Sequence, residues 1–153
     1  MLKHIVSKQY RDKINQASSK TVDIVVPPEG WIRTARKALG ISAAQLAKRL
    51  GVTRGHISNT EKHEMNGTIT LKTFQSMAEG MGCHFVYAIV PKRNLEGILK
   101  ARAKEKATLR IKEAQDHMAL ENQALSEKLV KFEIDRLTKE ILNDPPPDFW
   151  SDE

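Results

Sequence analysis

The sequence predicts a mainly α-helical protein: a small helical bundle, one strand and a helical C-terminal extension. Three observations lead there. Of the 153 residues 29% are charged and 40% hydrophobic but only 5% aromatic, a balance that suits helices with wetted faces better than a sandwich or barrel. Between residues 30 and 82 glycines and capping hydroxyls recur at the spacing of short helices, and residues 94–143 contain no proline and one glycine, Gly97. A chain of this length makes one ordinary domain, or a small domain with an extension that needs a partner, and is too short for a multidomain enzyme.

Residues 1–29 read as an N-terminal arm. A short helix is expected over Ser7 to Ala17, then the extended apolar piece Ile24-Val25-Val26 before the boundary prolines Pro27-Pro28. Met1 to Tyr10 carries Lys3, His4 and Lys8 around a short apolar patch without a cleavable hydrophobic segment, so export is not expected. Residues 30–82 read as one domain of four helices. Trp31 to Leu39 stops at Gly40; Ser42 caps Ala43 to Leu50, which stops at Gly51; Thr53 caps Arg54 to about Lys62; Thr70 caps Leu71 to Met81 before Gly82.

Residues 83–91 change character. His84 to Val90 is rich in β-branched and aromatic residues and closes at Pro91, which predicts a strand. A lone strand leaves its backbone groups unpaired, so it is expected to pair with Ile24–Val26 or with the same strand of a second subunit, as a dimerisation element. Residues 92–153 read as a helical extension suited to binding a partner, ending in an acidic, proline-rich tail with Phe149 and Trp150 as anchors.

Cys83 is the only cysteine, so no intrachain disulfide or cysteine-based zinc site can form, and a reducing cytoplasm is expected. The longest uncharged apolar run, Cys83 to Pro91, falls well short of the roughly 20 residues of a membrane helix, and no membrane association is expected. The five histidines, at 4, 56, 63, 84 and 117, form no H-x-x-x-H pair, and no phosphate loop, nucleophile elbow or paired-carboxylate arrangement appears. No catalytic residue, metal or cofactor is expected.

Chemistry concentrates in Ile41 to Glu61, which has the spacing of a helix-turn-helix. Two steeply crossing helices joined by a tight turn need a small residue at the crossing, apolar residues facing the body and glycine at the turn. Ala47, Leu46 with Leu50, Val52 with Ile57, and Gly51 supply these. The outer face of the second helix keeps Arg54, Gly55, His56, Ser58 and Asn59, polar or small, as a face entering the major groove must be. With Ser42, Gln45 and Thr53 these form the expected DNA-binding set. Arg54 suits a guanine edge, Asn59 an adenine edge or a phosphate, and His56 either, the alternative being ordinary solvated positions.

With Leu46-Ala47, Gly51-Val52, Thr53, Ile57 and Glu61 in this order, Trp31 to Gly82 resembles the Cro/CI-type (XRE) helix-turn-helix family. The resemblance implies a lambda-repressor-like bundle and an ion pair between Arg36 and Glu61 that fixes helix orientation. The second helix of the family often begins with Gln, where this chain has Ala43, so backbone anchoring would lean on Ser42, Gln45, Thr53 and basic residues. Antitoxin-type members follow the domain with a strand that pairs across a dimer. A twofold dimer would set recognition helices roughly 34–36 Å apart on a palindromic operator.

Pro28-x-Gly30-Trp31-Ile32-Arg33, Gly67 to Thr73, Val86-Tyr87-Ala88-x-Val90-Pro91, Met118 to Ala124 and the closing Pro-Pro-x-x-x-Trp150 together resemble a small family, mobile mystery protein A. That resemblance implies a Fic-domain protein encoded next to it. One kind of Fic antitoxin inhibits through a helix carrying Ser/Thr, three residues, Glu and Gly/Asn. Here His117, Glu121 and Asn122 stand at those positions, with His in place of the hydroxyl, the alternative being that Glu121 is simply solvated. The combined expectation is a dimeric, sequence-specific transcriptional repressor, antitoxin-like and autoregulatory. The alternative is an inhibitor of a Fic-type toxin that works through the C-terminal helices with little DNA binding.

Charge is unevenly distributed. The net +6 arises from +2 over residues 1–29, +5 over 30–82, +6 over 83–112 and −7 over 113–153. A basic middle suits DNA. An acidic end is expected to face a protein partner, or to fold back on the basic stretch when DNA is absent.

Overall fold

The computed structural model describes residues 2–121 and 125–152. Among them the chain forms seven helices: α1 (Leu2–Thr21), α2 (Trp31–Ala38), α3 (Ala43–Leu50), α4 (Arg54–Asn66), α5 (Leu71–Gly80), α6 (Leu95–Leu120) and α7 (Glu127–Asn143). Two compact units result. Thr21–Ala88 makes one, and Met1–Lys20 with Ile89–Glu153 makes the other.

In the first unit, three of the four helices start under a hydroxyl. Ser42 Oγ accepts from Gln45 N, Thr53 Oγ1 from His56 N and Thr70 Oγ1 from Thr73 N. The start of α2 is different. Gly30 has no side chain with which to cap, and its φ of 84° is open to glycine but strained for other residues. Glu64 of α4 caps from a distance, accepting from Trp31 N at 2.6 Å and Ile32 N at 2.9 Å. α4 runs one turn past the expected stop near Lys62, to Asn66 before the left-handed Gly67, and so carries Glu64 to α2.

The core follows from which residues these helices turn inward. Ile32, Leu46, Ala47, Ile57, Met77 and Met81 are buried, with Ala35, Ile41, Ala43, Leu50, Val52, Ile69 and Phe74 packed against them. Leu46 and Ile57 are fully enclosed, each contributing about 1.5–3 kcal/mol of hydrophobic stabilisation. The buried hydroxyl of Thr60 is satisfied by His56 O at 2.8 Å. Gly51, in the left-handed conformation at φ 68°, ends α3, and Val52 N returns to Ala47 O at 2.9 Å to close the turn. Trp31 lies exposed beside the buried Ile32.

The predicted strand is not present. Residues 83–91 are neither strand nor helix, and no strand occurs among the described residues. A strand exists only through backbone pairing, and Ile24 to Val26, the candidate partner within the chain, lies exposed without pairing to it. Two rings of this segment form a short stack. Phe85 lies on Phe74, ring centroids 4.3 Å apart, and Tyr87 on Phe85 at 5.8 Å, although Tyr87, like Val86, Ile89 and Val90, stays exposed.

In the second unit α6 and α7 pack together through a small-residue seam. Ala103 and Ala107 of α6 are fully buried with Ile141 of α7, and Leu99, Ile134, Leu137 and Leu142 surround them. Helix α1, longer than the expected Ser7–Ala17, buries no residue. It is tied to the start of α6: Asn15 Nδ2 donates to Glu96 Oε2 at 2.9 Å and Asn15 Oδ1 accepts from Leu95 N, while Arg11 stands 3.5 Å from Glu96. The helix-forming run after Asn94 is divided. α6 ends at Leu120, and α7 begins at Glu127 under Ser126.

The acidic tail folds onto α6. Phe149 is buried against the alanine seam, and Arg102 donates to the carbonyls of Phe149 at 2.7 Å and Ser151 at 2.6 Å. Asp148 lies 3.6 Å from Lys106 and 3.9 Å from Arg110, and Asp152 lies 3.3 Å from Arg102. Trp150 remains exposed, edge-on to Phe149 with the Arg102 guanidinium over its ring.

Candidate nucleic-acid interface

Beside the Glu64 cap and the shared core, one ion pair ties α4 to α2. Arg36 Nε donates to Glu61 Oε1 at 2.7 Å and Nη2 to Oε2 at 3.4 Å, while Nη1 reaches Ile41 O at 3.2 Å. Both side chains are only 13% exposed, so the two charges attract each other with little screening by water. Arg36 thus ties α2, the start of the next loop and α4 together, and is occupied by that task.

With Ile57, Thr60, Glu61 and Glu64 turned inward, the helical repeat sends Gly55, Asn59, Lys62 and Asn66 to the opposite side of α4. Ser58 stands at the edge of this stripe. Arg54 and His56 fall on separate flanks. Arg54 lines a hollow of about 720 Å³ with Ser42, Ser58, Arg33 and Lys62, whereas His56 lines another with Lys72, Thr73 and Ser76. The expected set is therefore divided: Ser42, Arg54 and Ser58 share one hollow, His56 borders the other, and Gly55 and Asn59 occupy the ridge between. Asn59, Arg54 and the His56 ring make no side-chain hydrogen bond or ion pair among the described residues.

The remaining three residues hold the helix starts. Ser42 Oγ accepts from Gln45 N at 3.1 Å, and Gln45 Oε1 accepts from Ser42 N at 2.8 Å, a reciprocal capping box. Thr53 Oγ1 accepts from His56 N at 3.0 Å. Each group keeps a donor free: the Ser42 and Thr53 hydroxyl protons and the Gln45 amide. No acidic residue occupies the first turn of α3 or α4, so their positive dipole ends are left without a carboxylate. Ala43, where the family often has Gln, is half-buried against the core rather than turned outward.

Cations of this unit sort into engaged and free. Glu29 holds Lys37 at 2.8 Å and lies 4.0 Å from Arg33; the Lys37 hydrogen bond, then the charges of Lys37 and Arg33, keep the Glu29 carboxyl below its ordinary value of 4.5 despite some desolvation. Arg49 Nε donates to Gly80 O at 3.0 Å. Lys48, Arg54, Lys62 and Lys72 are exposed and form no ion pair among the described residues. Lys62 and Asn66 are additions to the sequence-based set. Their signal is the 55, 59, 62, 66 spacing, of which only Asn66 requires α4 to be read one turn longer.

His117 is exposed in the last turn of α6 and Glu121 is the exposed residue ending it; Asn122 lies outside the described residues. Among the described residues no group of three or more His, Cys, Asp or Glu could hold a metal ion. No helix among them is long and apolar enough to cross a membrane.

The family model for helix-turn-helix domains matches residues 32–87, the stretch from the first turn of α2 through the segment after α5. The match supports the Cro/CI-type (XRE) family for this part of the chain, a DNA-binding and non-enzymatic type of domain that suggests a regulator acting on DNA. No curated protein and no solved structure matches the chain significantly.

Proposed function

We propose that the protein is a sequence-specific DNA-binding repressor that regulates its own transcription. One observation carries this reading: α4 presents Arg54, Asn59 and Lys62, without side-chain hydrogen bonds or ion pairs among the described residues, beside two helix starts whose hydroxyls still have a proton to donate. Arg54 and Asn59 read base edges, Ser42, Gln45, Thr53 and Ser58 meet phosphates, Gly55 admits close approach, and His56 contacts the flank. The domain over 30–82 binds DNA. Residues 83–91, which from His84 onward make no backbone hydrogen bond among the described residues and whose Val86, Tyr87, Ile89 and Val90 are exposed, pair with a second copy to make a homodimer on a palindromic operator. Residues 92–153 bind a partner, a Fic-domain protein by the whole-chain resemblance, which makes the protein antitoxin-like; residues 1–29 serve as an arm. The test is binding to a duplex from the region upstream of its own gene. Salt-dependent binding that fails on a scrambled duplex is expected, and equal binding to both rejects the reading.

A second reading rests on His117 and Glu121, exposed one turn apart where α6 ends. In it the C-terminal helices restrain a Fic-type toxin and DNA binding is minor. Unchanged inhibition of a co-expressed Fic partner by Glu121→Ala rejects that role.

A further inference from the structure

Helix α6 carries two rows of cations, and the fold treats them differently. Arg102, Lys106 and Arg110, four residues apart, are met by the tail: Asp152 at Arg102, Asp148 at Lys106 and Arg110. Lys100, Lys104 and Lys112 lie about 160° around the helix from that row. They are exposed, and no ion pair or side-chain hydrogen bond engages them among the described residues. The two acidic residues of 83–112 are committed elsewhere, Glu96 to Asn15 and Arg11, Glu105 to Arg102. Thr108 fills the remaining step of the free row, its hydroxyl turned back to Lys104 O. Asp116, one step beyond Lys112, ends the row with the opposite charge.

We infer that this free row is a second, sequence-independent contact to the phosphate backbone of DNA, an inference that rests on the DNA-binding reading above. The chemistry selects a polyanion over a protein surface. Positions four apart rise about 6 Å along the helix, so the lysines form a regular line of point charges. The row carries no aromatic residue, and the one large apolar residue on its face, Ile111, is half-buried, whereas protein interfaces are built around exposed anchors of that kind and are depleted in lysine. The row has charge without the forked geometry that would read a base, so it adds affinity and no sequence preference. The tail's aspartates show what the helix attracts: on its other side α6 already carries anions.

The experiment compares full-length protein with K100Q/K104Q/K112Q, and with the corresponding Lys→Arg triple, on a mixed-sequence 30-base-pair duplex and on a duplex from the upstream region. Binding is followed by fluorescence anisotropy across a salt series, with helical content checked by circular dichroism. The glutamine triple is expected to lower the slope of log K against log salt by roughly 2.7 on both duplexes, the value for three lost phosphate contacts, with the preference between duplexes unchanged. The arginine triple is expected to keep the wild-type slope. A glutamine triple with the wild-type slope overturns the inference while leaving the repressor reading intact, as does an arginine triple that loses as much as the glutamine one. Wild-type protein that binds neither duplex overturns both.

Discussion

The carboxylate of Glu64 occupies the space that a side chain at residue 30 would need: a Cβ built on Gly30 falls 2.7 Å from Glu64 Oε2. Helix α2 therefore begins where glycine is required twice, once for its φ of 84° and once for the approach of its distant cap. Gly30→Ala is expected to destabilise the first unit by about 1–3 kcal/mol, read by urea denaturation. Glu64→Ala, which leaves Trp31 N and Ile32 N without their acceptor, is expected to cost about 1–2 kcal/mol. A Gly30→Ala protein with unchanged stability would show that the Glu64 cap does not constrain this corner.

Arg36 and Glu61 share two hydrogen bonds at a site largely shielded from water. Removing one partner leaves the other charge desolvated, so Glu61→Ala is expected to cost about 2–4 kcal/mol. A double-mutant cycle with Arg36→Met is expected to give a coupling of about 1–3 kcal/mol. Additive single losses would reject the ion pair as an energetic tie.

Arg54→Ala and Lys62→Ala separate reading from anchoring. If Arg54 takes a base edge, its loss is expected to reduce discrimination at one operator position by about 1–3 kcal/mol. Lys62→Ala is expected to weaken all sequences alike and lower the salt slope by about 1. Binding-site selection from a randomised duplex pool distinguishes the two, and an unchanged preference in Arg54→Ala rejects its base contact.

Phe149 anchors the tail in the alanine seam of α6. Phe149→Ala is expected to destabilise the second unit by about 3 kcal/mol, near the lower end for buried aromatic truncation because the tail can collapse into the space. In a Trp31→Phe background, Trp150 fluorescence reports this directly. A midpoint unmoved from the parent's would mean that the tail does not contribute to the fold.

Protonation should loosen α1 from α6. The Glu96 carboxyl is held below its ordinary value of 4.5 by its own backbone N–H first, then by the Asn15 amide and the charge of Arg11, against some desolvation and the charge of Asp12. A lowered carboxyl stabilises the folded state above its ordinary value, and the contribution disappears as pH falls through the lowered one. Hydrogen exchange of the α1 amides is expected to accelerate, relative to the rest of the protein, as pH drops below about 4.5, after correction for intrinsic rates. Glu96→Gln should show the faster exchange already at pH 7. Identical relative protection in both proteins across this range would contradict the role of Glu96.

Much of the bundle is legible in the sequence because its signals are local. Ser42, Thr53 and Thr70 announce helix starts, Gly51 announces the turn, and the spacing of Leu46, Ala47 and Ile57 announces the inward face. The missed features are non-local. Nothing near Gly30 in sequence identifies Glu64 as its cap, and with α4 read a turn too short Asn66 drops off the outward face. The strand over 83–91 fails for a related reason: β-branched composition records fitness for pairing, and no paired partner occurs among the described residues. Charge asymmetry leaves the acidic tail two destinations, a protein partner or the basic stretch, and the choice rests on the anchoring of Phe149 beside Ala103, Ala107 and Ile141, which depends on two helices meeting.

The hydroxyls of Ser42 and Thr53 are already bound on their acceptor side before DNA arrives. Immobilising a side chain at an interface ordinarily costs about 0.5–1.5 kcal/mol, and here folding has removed that freedom in advance. Their protons are left a narrow cone of directions, so recognition would begin from rigid donors. The same economy makes the two positions hard to interpret by alanine scanning, since each substitution removes a helix cap together with the proposed DNA contact. A Ser42→Thr and Thr53→Ser exchange, which keeps both hydroxyls, separates loss of a group from change of its surroundings.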